Sequence, residues 1–265
     1  MFNKALLMSF VKKGSDDIIE EDDDGMTLVI EAKSDGKNRN IFTGFDDGSH
    51  NPIFYKVYIN GVETDQVYYA LNVVKGDRIK LVSLSSRGFP SLSFALRSYA
   101  KLLSTVLPYM TQASGKPLVS AASMFSYNTD LASISSAFFK HNTSVTNFES
   151  TFIGCSNLVT VGSGLFDNNL DATNFSGTFS SCSSLSSIPE NLFEKQSKVT
   201  DFSGCFRNCK SLSGKIKIGS TSVTNASDFC SGAGAITVVV PAGSTTETTF
   251  RSYAETASNL TVETY

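Results

Sequence analysis

The chain has 265 residues, 41% of them hydrophobic, with 20 Phe, no Trp, five Cys and a formal net charge of −3. That charge excludes the basic footprint with which nucleic-acid-binding proteins neutralise phosphates. No apolar run reaches the roughly 20 residues that a membrane-spanning helix needs, and the length leaves room for two domains or one elongated one.

The chain opens on MFNKALLMSFVKKG. Lys4 and the apolar residues after it imitate an export signal, but Lys12 and Lys13 end the run and no small-x-small cleavage site follows. Residues 1–25 therefore read as an N-terminal arm and acidic linker of the mature protein, with Phe2, Leu6, Leu7 and Phe10 as docking contacts. The acidic run 15–25 is most simply a solvated linker. Glu20, Asp22, Asp24, Gly25 and Glu31 match the first, third, fifth, sixth and twelfth places of a calcium loop. Glu in the first place, Thr27 in the eighth and the strand-like MTLVIEAK that follows argue against calcium.

Residues 26–87 predict a small all-β domain, a sandwich or sheet of four to six antiparallel strands. MTLVIEAK, PIFYKVYIN, VYYALNVV and DRIKLVSL are rich in Val, Ile and Tyr, and turn formers separate them. Asn60-Gly61 is a hairpin signal. In residues 88–117, Leu92, Leu96, Tyr99, Leu103 and Val106 follow helical spacing behind Pro90. The alternative, which we prefer, is a degenerate capping repeat with a short helix inside it.

Residues 118–232 repeat. Phe125, Phe152, Phe179 and Phe206 stand 27 apart, as do Leu131, Leu158, Leu185 and Leu212, and as do Cys155, Cys182 and Cys209, with Asn128 in the same slot one unit earlier. A second aromatic column runs Phe148, Phe175, Phe202 and Phe229 behind Ala121, and a third runs Phe139, Phe166 and Phe193. A period of this length predicts a solenoid, whose units bury their apolar faces against one another. Within the unit TNFSGTFSSCSSLSSIPENLFEKQSKV, Phe175, Phe179 and Cys182 step by four and three, which predicts one face of a short helical segment. Leu185 and Ile188 then fall in a short extended stretch ended by Pro189, and Leu192 and Phe193 return the chain to the core. Residues 233–265 break the period and predict a C-terminal cap: a strand over 236–240, a helix over 245–257 carrying Phe250 and Tyr253, and a last strand in NLTVET.

The five cysteines call for little chemistry. Three fill a column that wants a small buried hydrophobe, and ladder side chains point the same way, which is poor geometry for a disulfide. Cys205, Cys209 and Cys230 lack a fourth ligand and a nearby His, so no metal is expected. His50 and His141 lie in unrelated regions, and no nucleophile elbow, phosphate loop or zinc motif appears. The chain reads as a non-enzyme without cofactors. Three triplets occupy matching slots and predict a surface column: Lys140, His141 and Asn142; Asp167, Asn168 and Asn169; Glu194, Lys195 and Gln196. They either contact a ligand or merely solvate a ridge.

The units VTNFESTFIGCSNLVTV, ATNFSGTFSSCSSLSSIPENLF and VTDFSGCFRNCKSL resemble the BspA-type leucine-rich repeat, and VPAGSTTETTF is similar to the strand-and-helix end that closes such arrays. The resemblance covers about 118–245. It implies a leucine-rich-repeat solenoid, a short strand plus a short helix or turn per 27-residue unit, behind the N-terminal all-β domain. It also implies attachment, because the family is found on surfaces of bacteria and some protists and in phage particles from gut bacteria. The expectation is a virion protein, a tail or head fibre or decoration. Its N-terminal region would dock to other virion proteins or to further copies, and its repeats would face a host-surface protein or glycan. The alternative is a bacterial cell-surface adhesin.

Overall fold

The computed structural model describes residues 27–32, 35–39, 56–65, 71–82, 100–102, 119–129 and 131–265. The expected docking arm with Phe2, Leu6, Leu7 and Phe10, the acidic linker, and all but three residues of the expected capping repeat lie outside them.

Among the described residues of the N-terminal part there are seven strands: β1 (Thr27–Ala32), β2 (Gly36–Arg39), β3 (Lys56–Ile59), β4 (Val62–Thr64), β5 (Leu71–Val73), β6 (Arg78–Val82) and β7 (Ala100–Leu102). Five make an antiparallel sheet in the order β4-β3-β6-β1-β7, while β2 pairs separately with β5. Asn60 and Gly61 close the β3–β4 hairpin with φ of 52° and 82°, the left-handed pair that a two-residue turn requires and that Asn-Gly supplies readily. The Asn60 amide donates to Asp77 Oδ1 at 2.7 Å, and the other Asp77 oxygen accepts the Val74 N–H. Two turns are thereby clasped at one end of the sheet. The sheet also runs past residue 87, where the sequence placed its boundary. β7 sits inside the stretch with helical spacing but pairs with β1, Ile30 opposite Leu102. Three residues are too few to show a period of two against that background.

From Ser120 the chain winds in coils. Parallel bridges join Ser120 to Asn147, Asn147 to Asn174, Asn174 to Asp201 and Asp201 to Asn225. The first three coils are therefore 27 residues long and the fourth is 24. Alternate backbone N–H groups hold each coil to the next: Phe148, Ser150, Phe152 and Gly154 donate to the carbonyls of Asn174, Ser176, Thr178 and Ser180. The N–H groups between them turn inward, Thr151 to Phe148, Ile153 to Ser150 and Cys155 to Phe152. This pattern replaces the short helix expected over Phe175–Cys182. In this stretch of each coil two residues, four apart, take the left-handed conformation, for example Ser150 with Gly154 and Gly177 with Ser181. A right-handed helix excludes that conformation, so the four-and-three spacing here belongs to a chain of tight turns whose every second donor is spent between coils.

The core lies inside the coils. The rings of Phe125, Phe152, Phe179 and Phe206 stack face to face at 5.3–5.5 Å, within 9° of parallel. Phe148, Phe175 and Phe202 form a second stack at 5.0 and 5.7 Å. The third, Phe139, Phe166 and Phe193, interleaves edge-on with the second at about 5 Å. All ten rings are buried, as are Leu131, Leu158, Leu185 and Leu212. Burial of each ring contributes roughly 1.5–3 kcal/mol, and each well-placed ring pair about 0.5–1.5 kcal/mol more.

On the opposite limb, β8 (Ser133–Ile134) pairs in parallel with β9 (Thr160–Val161). Gly162 donates its N–H to the Ile134 carbonyl at 3.1 Å. One coil later that place is held by Pro189, which has no N–H to give, and the third coil forms no strand there. β10 (Gly214–Lys217), β11 (Ile236–Val240) and β12 (Leu260–Thr264) then make a parallel sheet in that order.

Between β11 and β12 runs the helix Thr245–Ala254, the one helix among the described residues. Ser244 caps it by accepting the Glu247 N–H. The Glu247 carboxylate accepts from Arg251 one turn on, which with the Gly243 N–H holds it below its ordinary value. Thr246 is buried, donating to the Ser220 carbonyl at 2.7 Å and accepting the Val223 N–H at 3.0 Å. The 24-residue coil shifts Phe229 out of the column in which the sequence placed it. Its carbonyl accepts the Phe206 N–H as that of Cys205 accepts the Phe179 N–H, so Phe229 stands in the slot of Thr151, Thr178 and Cys205. Ala226 takes the place after Phe202, and Phe250 of the helix fills the space, edge-on to Phe229 at 5.0 Å.

Candidate recognition ridge

After each third-column phenylalanine the chain turns at the surface, so the three triplets do lie on successive coils. Their third members do not face out. Asn142 and Asn169 are fully buried and Gln196 is 1% exposed. The Asn169 amide donates to the Asn142 carbonyl at 2.8 Å, and the longer Gln196 reaches the Phe166 carbonyl at 2.7 Å. These amides tie coil to coil where the backbone has no partner strand, and the sequence offered no sign of it because Asn and Gln are usually exposed. Asn142, Asn169 and Gln196 are accordingly removed from the candidate ligand contacts.

The remaining six lie at the surface: Lys140, His141, Asn168, Glu194 and Lys195 are exposed and Asp167 half-buried. Three of them are spent on one another or on a neighbour. Lys195 pairs with Asp167 at 2.6 Å, and Glu194 with Lys217 at 2.7 Å. Lys198 pairs with Asp171 beside them. Each bridge joins one coil to the next. Exposed pairs of this kind contribute about 0–1 kcal/mol, so they align the ridge more than they stabilise it. Lys217, whose ammonium also lies 4.5 Å from the Tyr265 ring centre, was invisible as a ridge residue because the fourth coil is out of period. Lys140 and Asn168, on the first two coils, stand outside these three ion pairs.

A second lateral column is made of threonines. Thr146, Thr173, Thr200 and Thr224 each donate a hydroxyl hydrogen to the carbonyl one coil back, at 3.3–3.4 Å. Beside them Asn147, Asn174, Asp201 and Asn225 each accept the N–H two residues on. Both columns satisfy backbone groups, as short polar side chains do in turns.

All five cysteines are free and buried. Cys155, Cys182 and Cys209 lie 3.0–3.1 Å from the carbonyls of Phe125, Phe152 and Phe179 in the preceding coil, so the column is a ladder of S–H donors. Burial pushes the thiols of Cys155, Cys209 and Cys230 up to about 12 and raises those of Cys182 and Cys205 as well. A protonated, enclosed thiol is neither a nucleophile nor a metal ligand. Among the described residues no cluster of His, Cys, Asp and Glu is placed to hold a metal ion, and no helix is long and apolar enough to cross a membrane.

Comparison with protein-family models, curated proteins and solved structures returns no match.

Proposed function

We propose that this chain is a non-enzymatic attachment protein of a phage particle, a fibre or decoration whose N-terminal region docks to virion proteins and whose coils meet a host-surface protein or glycan. In this reading the coils are a leucine-rich-repeat solenoid of the BspA type, as the repeat motif resembles. One observation supports it: the apolar columns that build the core point inward, while polar residues between them lie at the surface on successive coils. Phe125, Phe152, Phe179 and Phe206 are all buried, whereas Lys140, His141 and Asn168 lie at the surface. Such a scaffold lets lateral residues vary without disturbing the core, which suits recognition.

The test is to delete residues 1–25 from the full chain and follow co-sedimentation with particles, with circular dichroism to verify the fold. Loss of association with the fold intact is the expected result. A folded variant that still joins particles removes the arm from docking. A parent chain that never joins particles but decorates intact bacterial cells makes it a cell-surface adhesin.

A further inference from the structure

The ladder that joins the coils must end somewhere, and its two limbs end differently. On the aromatic limb the last coil is roofed by the helix Thr245–Ala254, with Phe250 set against Phe229. On the sheet limb the ladder ends at β12, which pairs with β11 on one side and with nothing among the described residues on the other. The phase of that pairing is fixed by three bonds. Ile236 donates to the Asn259 carbonyl, Tyr265 to the Val240 carbonyl, and Ala242 to the Tyr265 carbonyl. In a parallel ladder alternate residues bond to the same neighbour. Asn259, Thr261, Glu263 and Tyr265 therefore turn their backbone toward β11, and Leu260, Val262 and Thr264 turn theirs away. The Leu260 N–H is used locally by Ala257, leaving the N–H groups of Val262 and Thr264 and the carbonyls of Leu260, Val262 and Thr264 aimed outward.

We propose that this edge is a homodimer interface, in which β12 of two copies pair antiparallel about a two-fold axis through Val262. An open strand edge is a template for another strand, and a two-fold contact demands that the edge be complementary to itself. LTVET meets that demand. With Val262 opposite Val262 of the second copy, the two exchange both backbone hydrogen bonds, and each Thr264 N–H meets a Leu260 carbonyl. Thr261 falls opposite Glu263, so no like charges face each other, and each Glu263 already holds its own Lys215 at 2.7 Å. The edge carries neither Lys nor Pro, and its one charge, Glu263, is engaged by Lys215. The half-buried Val262 packs against its own core, so its copies would meet as an extension of that core. The result is one sheet continuous through both chains, with the two stacks of coils leading away from its middle. The inference is independent of the proposed function.

Sedimentation velocity of the full chain from about 1 to 200 µM tests it, because a contact this short lies at the weak end of specific interfaces. The expected result is a reversible dimer, weakened at least about tenfold by Thr264→Pro. That change removes one outward N–H, leaves the β11 ladder intact and suits an edge strand. Circular dichroism and melting should then match the parent, whereas Thr261→Pro, on the inward phase, should damage the fold. A parent that stays monomeric throughout, or a dimer that Thr264→Pro leaves unchanged, overturns the proposal.

Discussion

The first three coils and the fourth are built from the same residues at the same depth, yet they end in different structures. In the first three, Phe and Leu recur every 27 residues, with Cys from the second coil on, and the rings of the three columns lie on their copies one coil away. In the fourth, three residues fewer bring Asn225 beneath Asp201, and the ring stacking stops. Phe206 and Phe229 meet at 89° where Phe179 and Phe206 lie within 2° of parallel. The shortening lets the stack be closed. It puts the small Ala226 after Phe202, makes room for Phe250, and brings Ser220 and Val223 to the buried hydroxyl of Thr246. Repetition extends the core, and leaving the repeat is what ends it.

The largest expected effect comes from breaking the regular part. Phe179→Ala removes a ring held between Phe152 and Phe206 and should cost about 3–5 kcal/mol, melting the coils as a unit in a denaturant titration. A melting temperature within a degree or two of the parent would contradict the register. Restoring the period by inserting three residues between Leu212 and Gly214 should also destabilise. It pulls β10 from β11 and Ser220 from Thr246, hydrogen bonds worth about 1 kcal/mol each, and a variant more stable than the parent would show that the short coil is incidental. Thr246→Val should cost roughly 1–3 kcal/mol, since the Val223 N–H loses its buried acceptor; an unchanged midpoint in urea would refute the contact.

The thiols give a pH test. Their folded values lie above the unfolded one, so their contribution is whole below about pH 9 and is lost as pH rises from about 9 toward 12. Stability should fall across that window, less steeply after Cys155→Ala and Cys209→Ala combined. At pH 8 the native chain should leave a disulfide reagent unreacted until it unfolds. The smallest effect is expected on the ridge: Lys195→Ala, which opens the pair with Asp167, should change stability by less than about 1 kcal/mol and less still in high salt.

The core was legible because side chains that stack on their own copies must repeat. The phenylalanine, leucine and cysteine columns are written plainly at 27, and the closing strands and helix follow from apolar runs bounded by Pro241 and Gly243. Three things were hidden. The local conformation of Phe175–Cys182 was misread because three-and-four spacing also arises from successive tight turns, and only the destination of each N–H distinguishes them. Phe229 was misassigned because its separation from Phe202 equals the period by coincidence, while three residues are lost between them. Asn142, Asn169 and Gln196 read as exposed because a polar residue that follows His, Asn or Lys in a polar triplet looks solvated, and its burial depends on the fold of the neighbouring coil. The exposed half of the ridge was legible as position but not as pairing, since Lys217 enters it only through the shortened coil.

The alternating destination of the backbone donors has an evolutionary consequence. On the aromatic limb each 27-residue coil turns N–H groups to the coil after it and carbonyls to the coil before, while Thr173 and Thr200 donate the other way, to Thr146 and Thr173. The same mixed set recurs at each face, so a coil can stand in for its neighbour. A duplication of 27 codons between Asn147 and Thr200 would lengthen the molecule by one strand spacing, about 4.8 Å. It would leave both ends as they are and add one new set of lateral residues for selection to alter. Length and surface can thus change by whole steps without redesign of the core.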